Sequence, residues 1–417
     1  MSGRTEVTAG FLPLLDSALL VIAAVKGLAA AEGIELVLVR ETSWATIRDR
    51  LAAGQLQAAH MLAPMPIAGN LGLSPLAART IVPMALGLGG NAVTVSNRLW
   101  AAMQRHGAEA DVNARVNGHA LAAVVAERRR LGRPPLRFAV VHPHSAHNYE
   151  LRYWLVACGV MPEADVDIQI IRPPRMAAAL AAGEIDGYCV GEPWSTAAVM
   201  GGCGRIVTVK AAIWQSSPDK VLGVAADWAQ ARPDALAALM RAVYRAAEWC
   251  GQAANHAELA AILARPEHVG VPAEWLLPAL DGRLPLGGEV VARIDDFFVP
   301  FAKAATFPWR SHALWFYSQM VRWGQVGHDA ANAAIATEVY RPDIYRRALG
   351  PAGAALPGAN AKVEGALIMT TPVGARGGRL VLGPDGFFDG GIFDPDRLDA
   401  YIASQAVWTP AGHLPEG

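Results

Sequence analysis

The chain begins with alternating polar and apolar positions, "TEVTAGF" at 5–11, followed at 18–33 by the nearly unbroken apolar run "ALLVIAAVKGLAAAEG". The first pattern has the two-residue period of a strand. The second predicts a helix that Asp16 or Ser17 can cap and Gly33 ends. "IELVLVRE" reads as a second strand, Ser43 caps a helix through "WATIRDRLAAG", and "LQAAHML" is a third strand. Strand, helix, strand, helix, strand with short turns calls for a parallel sheet with helical crossovers. After the strand region "TIVPMALGLGGNAVTVS" the order restarts: strand "RFAVV", helix "HNYELRYWLVACG", strand "DVDIQII", helix "PPRMAAALAAGE", strand "IDGYCV". One phrase closes both units, "LAAGQLQAAHML" at 51–62 and "LAAGEIDGYCV" at 180–190, each a helix end, a Gly turn and a short apolar strand. The duplication predicts two similar α/β lobes.

Other segments fill in around these units. "HALAAVVAERRRLGRPP" predicts an amphipathic helix whose arginines form a solvated end. Beyond about residue 223 the spacing becomes helical, in "RPDALAALMRAVYRAAEWCGQAA", "HAELAAILA", "RIDDFFVPFAKAA" and "SHALWFYSQMVRWGQ". Residues 356–386 read as a loop with a hairpin, and "FFDGGIFDPDRLDAYIASQA" as an extended stretch and a helix capped by Asp394 or Asp396. The expected division is residues 1–92 for the first lobe, 93–212 for the second, and 213–417 returning to the first with a helical extension.

Composition narrows the function classes. With 417 residues, 53% hydrophobic, the chain can bury two cores. A net charge of -1 gives no overall attraction to nucleic acid or to a membrane surface. Cys158, Cys189, Cys203 and Cys250 lack zinc-site spacing, so no metal or cofactor is expected. Pro13, Asp16 and Lys26 interrupt the N-terminal apolar run, and no twin arginine or lipidation cysteine precedes it. A cytoplasmic protein is therefore expected, unless a signal has been trimmed. There is no GxSxG, HExxH, P-loop or GxGxxG after a strand, and no nucleophile accompanies Glu192 or His147. No enzyme activity is expected.

Two lobes leave a cleft, and helix N-termini at strand ends favour anions there. "RETSWATIR" starts one such helix at Trp44, "HPHSAHNYELRYW" another with Ser145 as cap and His147 in its first turn. "CVGEPWSTA" starts a third, with Pro193 at its first position and Gly191 just ahead, where backbone can approach a ligand. Lys220 opens the strand "VLGVAA" and is a candidate fixed positive charge for a small anion, or a solvated strand end. "GLGGN" at 87–91 suits a bend between lobes.

"GFLPLLDSALLVIAAVKG", "ETSWATIRDRLAAGQLQAAHML", "HSAHNYELRYWL", "MAAALAAGEIDGYCVGEPW", "HALWFYSQMVRWG" and "FFDGGIFDPDRLDAYI" together resemble the nitrate-binding proteins of cyanobacterial ABC transporters, over nearly the whole chain. The resemblance implies a two-lobed type II periplasmic-binding-protein-like C-clamp with parallel-rich sheets flanked by helices and a helical C-terminal part. It implies an anion site of Trp44, Asn97, His147, Gly191 and Lys220; the family often has Gln where Asn97 stands. In the family's bicarbonate binders an acidic residue replaces the lysine and helps hold calcium, so Lys220 implies nitrate or nitrite. Within this group the chain is most similar to the cytoplasmic nitrate/nitrite sensor of the nitrate-responsive antitermination system. That implies an RNA-binding antitermination regulator as protein partner, released on ligand-dependent lobe closure. The alternatives are the solute-binding component of a nitrate ABC transporter and an enzyme such as a thiamine-pyrimidine synthase relative, whose cysteine-rich motif is missing.

Overall fold

A computed structural model describes residues 4–74, 76 and 79–405. Fourteen of its strands suffice to place the site: β1 (Thr5–Phe11), β2 (Ile34–Arg40), β3 (Ala58–Leu62), β4 (Thr80–Ala85), β5 (Leu88–Gly89), β6 (Asn91–Ser96), β7 (Leu136–Val140), β8 (Val166–Ile170), β9 (Gly187–Gly191), β10 (Gly204–Val209), β11 (Lys220–Ala225), β12 (Arg283–Gly287), β13 (Val290–Arg293) and β14 (Phe298–Val299). One five-stranded sheet has the order β2-β1-β3-β11-β4 and a second the order β10-β6-β9-β7-β8. In each, four strands run in one direction and one, β11 or β6, runs antiparallel to both its neighbours. The two βαβαβ units expected from the pattern are present, one per sheet.

Position in the sheet follows hydropathy. β3 and β9 lie inside their sheets, are buried along their whole length, and read as small and apolar residues apart from His60 in β3 and Tyr188 in β9. β2 and β8 form sheet edges and alternate buried with exposed residues, as "IELVLVR" and "VDIQI" require. One hydrophobic cluster packs the helix Ala18–Val25 against the long helix Pro233–Cys250. Another runs from Trp44 and Ile47 through Phe138, Tyr149 and Trp154 to Trp214 and Trp315.

The chain leaves the first sheet after β4 and returns with β11, so residues 86–90 and 210–219 are the two crossings. The first is the Gly-rich stretch, and β5 within it pairs antiparallel with β14. Gly89, at φ +76°, brings its α-carbon so close to this strand that an added Cβ would lie 2.1 Å from the Phe297 carbonyl oxygen. This pairing also explains why 293–305 is not the helix its spacing predicts. Its residues end β13, form β14 and then turn through Lys303 and Ala304 at positive φ, with Pro300 between.

The second crossing lies under the C-terminal extension. Gln215 N donates to Gly386 O at 3.0 Å, Phe388 N to Ile213 O at 2.9 Å, and the Ser216 hydroxyl to Pro384 O at 2.8 Å. Trp214 is stacked on Phe387 with centroids 4.7 Å apart and touches Trp315 at 4.6 Å. The extension is itself pinned by Lys362, which bonds Glu364 and Asp385, and by the Ser311 hydroxyl, which donates to Glu364 at 2.6 Å. All four cysteines are free thiols. No helix among the described residues is long and apolar enough to cross a membrane.

Candidate functional site

The helix Trp44–Ala52 starts where β2 ends, and Ser43 caps it by accepting from Thr46 N at 3.1 Å. The helix Ala146–Ala157 follows β7 and is capped by Ser145, which accepts from Asn148 N at 3.0 Å. These caps are the two the sequence predicts, and they aim the first turns, with Trp44 and His147, inward. Trp44 and His147 are both buried.

Between them lies a buried row of alternating charges. Glu150 Oε1 is 3.0 Å from Lys210 Nζ, which is 3.6 Å from Asp219 Oδ1. Asp219 is paired with Lys220, whose Nζ is 2.8 Å from Asp16 Oδ2. Asp16 Oδ1 is in turn 2.8 Å from His60 Nε2. None of these six side chains is more than 5% exposed. Lys220 Nζ also stands over the Trp44 indole, 5.6 Å from its centroid, and the His60 ring lies 5.2 Å from the same indole.

Protonation follows from burial set against neighbours. Burial alone would raise the Asp16 and Asp219 carboxyls. Lys220, with His60, reverses this at Asp16, and Lys210, with Lys220, reverses it at Asp219, so both are held below the ordinary carboxylate range. Burial would lower Lys220, but Asp16 and Asp219 overcome it and raise its pKa. Glu150 has one cation against its burial and a second carboxylate nearby, and is pushed up to about 7. His147, with Asp219 Oδ2 4.0 Å from its Nε2, is driven by burial down to about 3 and is neutral.

Gly191 ends β9 opposite Asn91, the first residue of β6. A Cβ on Gly191 would lie 3.2 Å from Asn91 Oδ1, 3.3 Å from Leu14 Cδ2 and 3.4 Å from Asp16 Oδ2. Glycine is what lets this backbone sit against those groups. Asn91 is fully buried, and neither atom of its side-chain amide has a hydrogen-bond partner in the chain. The same holds for both ring nitrogens of His147, the indole N–H of Trp44 and the His60 Nδ1. Buried polar atoms are ordinarily paired. Here unpaired donors, the Trp44 indole N–H and the Asn91 amide N–H among them, lie in the same region as Lys220 and as carboxylate oxygens of Asp16, Asp219 and Glu150; the donors are of the kind that the acceptor oxygens of a small anion take.

Four of the five expected residues, Trp44, His147, Gly191 and Lys220, therefore come together. Asn97 does not. It is exposed at the start of the helix Asn97–Gln104, and its amide donates to Gly202 O at 2.8 Å. At the usual strand rise, six residues put it about 20 Å from Asn91 along β6. The buried amide at the site belongs to Asn91. Asp16, read from sequence as a helix cap, caps nothing: Ser17 donates to Leu14 O, and the Asp16 carboxylate serves Lys220. Pro193 likewise sits just before the helix Trp194–Met200 rather than inside it. His60, Lys210 and Glu150 were not singled out. His60 did carry a signal, as the lone polar residue of the apolar strand "AAHML".

Comparison with known proteins identifies the family and the fold. Residues 2–264 match the model of the NMT1-like family. The chain is 32% identical over 407 residues to the nitrate/nitrite binding protein NrtA of Synechococcus elongatus, covering 95% of this chain and 85% of that one. It is 35% identical over 350 residues to the bicarbonate transport ATP-binding protein CmpC of Synechocystis, covering 83% of this chain but only 50% of that longer protein. The crystal structure of the periplasmic nitrate-binding protein NrtA from Synechocystis PCC 6803 superposes with a TM-score of 0.84 at 27% identity, over 97% of this chain and 99% of that one. The fold is thus the two-lobed α/β clamp of periplasmic solute-binding proteins, and the chain belongs to the NMT1-like family.

Proposed function

We propose that the protein binds nitrate or nitrite among the buried groups of Trp44, Asn91, His147, Gly191 and Lys220, as the solute-binding component of a nitrate uptake system rather than as an enzyme. The observation that carries this reading is Lys220: a fully buried ammonium beside unpaired indole, amide and imidazole groups. Nitrate and nitrite are small monoanions whose oxygens accept hydrogen bonds and donate none. The indole face adds a flat apolar wall for a flat ion. Bicarbonate, suggested by the likeness to CmpC, carries an O–H that needs an acceptor. Asp16 and Asp219 are both engaged by Lys220, which takes the place at which a cation would meet them.

The whole-length likeness to NrtA reverses the order of readings drawn from sequence and puts transport ahead of sensing. A cytoplasmic sensor acting on an RNA-binding antitermination regulator is the second reading. One observation favours it: the same unit aligns with half of an ATP-binding protein, and ATP is a cytoplasmic ligand.

Isothermal titration with sodium nitrate, against sodium chloride and sodium bicarbonate, tests the ligand. Saturable nitrate binding that collapses in Lys220→Ala is expected. Correctly folded wild type that takes up no nitrate or nitrite would sink the proposal. Fractionation of cells carrying the native gene then separates the two roles, periplasmic for transport and cytosolic for sensing.

A further inference from the structure

Glu150 is not among the groups proposed to hold the anion, yet it ends the charge row that Lys220 belongs to. It lies one turn after His147 on the same helix and is 1% exposed. From the second crossing it is faced by Lys210, Asp219 and the Ser217 hydroxyl, and from β9 by the Cys189 thiol, which burial keeps protonated. Beyond Asp219 come Lys220, Asp16 and His60.

Two ammonium groups, Lys210 and Lys220, are therefore shared among three carboxylates that are all buried. Asp219 faces both lysines and Asp16 has His60 besides Lys220, whereas Glu150 faces Lys210 alone, at 3.0 Å. A monoanion arriving at Lys220 adds a further negative charge to this set. Low-dielectric surroundings make that addition costly unless a carboxylate gives up its charge. Of the three, Glu150 gives it up most easily.

Building on the anion-binding reading, we propose that the anion enters together with one proton from solvent, which Glu150 receives, so that Glu150 sets the pH range over which the site fills. The balance is simple: carboxylate plus anion plus proton gives the carboxylic acid and the bound anion, and nothing is expelled. Glu150 is a regulating residue, acting through Lys210 and Asp219 rather than by touching the ligand. With burial pushing the Glu150 carboxyl up to about 7, the coupling is silent well below neutrality, where the acid is already protonated, and appears above pH 7. There the nitrate affinity of the wild type falls by up to tenfold per pH unit, the limit for one linked proton.

The experiment is titration of the full chain with sodium nitrate at pH 6 to 9, in two buffers of different ionisation heat, so that protons taken up are counted directly. The expected wild-type result is uptake approaching one proton near pH 8. Glu150→Gln, a near-isostere of the protonated acid, should bind with little pH dependence and no uptake. Nitrate heat without proton uptake in the wild type overturns the coupling and leaves the binding reading standing, before any variant is made. Uptake that persists in Glu150→Gln places the proton on another group and also overturns the assignment. Absence of nitrate heat at every pH removes the anion-binding reading and the coupling together.

Discussion

Replacing Lys220 with methionine keeps the length of the side chain and removes its charge, which makes the buried row pay openly for its desolvation. Two carboxylates lose a shared partner. Neither is left alone: Asp16 keeps His60 at 2.8 Å and Asp219 keeps Lys210 at 3.6 Å. Breaking one partner out of a buried ion pair costs about 3–5 kcal/mol. With a second partner at each carboxylate, the low end applies, about 3 kcal/mol. For a lobe of this size 1 kcal/mol moves the melting temperature by about 2–4 °C, so Lys220→Met should melt about 6–12 °C lower at pH 7. The pH dependence has a definite sign. In the wild type both carboxyls are depressed, so their contribution persists above the unfolded value near 4 and is lost only as pH falls further. In the variant burial prevails and their folded pKa values rise, so acidification from pH 7 to 5 protonates them and relieves the penalty. The gap in melting temperature should therefore narrow between pH 7 and 5, and adding Asp16→Asn should recover part of it at pH 7. Scanning calorimetry at the two pH values reads this directly. A change below 2 °C, or a gap of equal size at both pH values, would refute the account of Lys220 as the shared counter-charge.

Three further outcomes follow from the same coordinates. Gly191→Ala should lower nitrate affinity at least tenfold in a calorimetric titration, because its methyl group meets Asn91 Oδ1 at 3.2 Å and Asp16 Oδ2 at 3.4 Å. Asn91→Ala should weaken binding by about 1.5–3 kcal/mol, the usual worth of a hydrogen bond to a charged group, while Asn97→Ala should leave it unchanged; the reverse order would restore Asn97 to the site. In the C-terminal extension burial opposes ionisation of Glu364, but Lys362 and His312 bring its pKa down to about 2. Its contribution is thus present above the ordinary glutamate value and lost as pH falls toward 2. Near-ultraviolet circular dichroism from the Trp214–Phe387–Trp315 stack should follow that loss, and Lys362→Met should shift the change to higher pH.

What the chain discloses before folding is mostly local. The alternation in "TEVTAGF" marks β1 to the residue, and Ser43 and Ser145 are legible as caps because a cap concerns only three or four neighbours. Trp44, His147, Gly191 and Lys220 stand out because they sit at junctions of strand and helix. The failures are all cases in which a distant partner decides. Residues 293–305 have helical spacing, but pairing of β14 with β5 takes them. Asp16 stands where a cap would stand, but a lysine 204 residues later claims it. Asn91 opens an apolar strand and shows nothing locally; only its register against Gly191 brings it to the site, whereas Asn97, six residues on, carries the more familiar setting and the wrong position.

The two crossings lie side by side with the site: Asn91 follows Gly90 directly, and Lys220 ends the second passage. A jaw moves least beside its fulcrum. If the lobes turn about these crossings, small displacements of Asn91 against Lys220 translate into wide travel at the outer edges of the lobes. An anion bound as proposed would act as a bolt at the hinge pin rather than as a latch at the lips. Chromophores attached to the rims should then report occupancy with large changes in separation, while the groups that touch the ion scarcely shift.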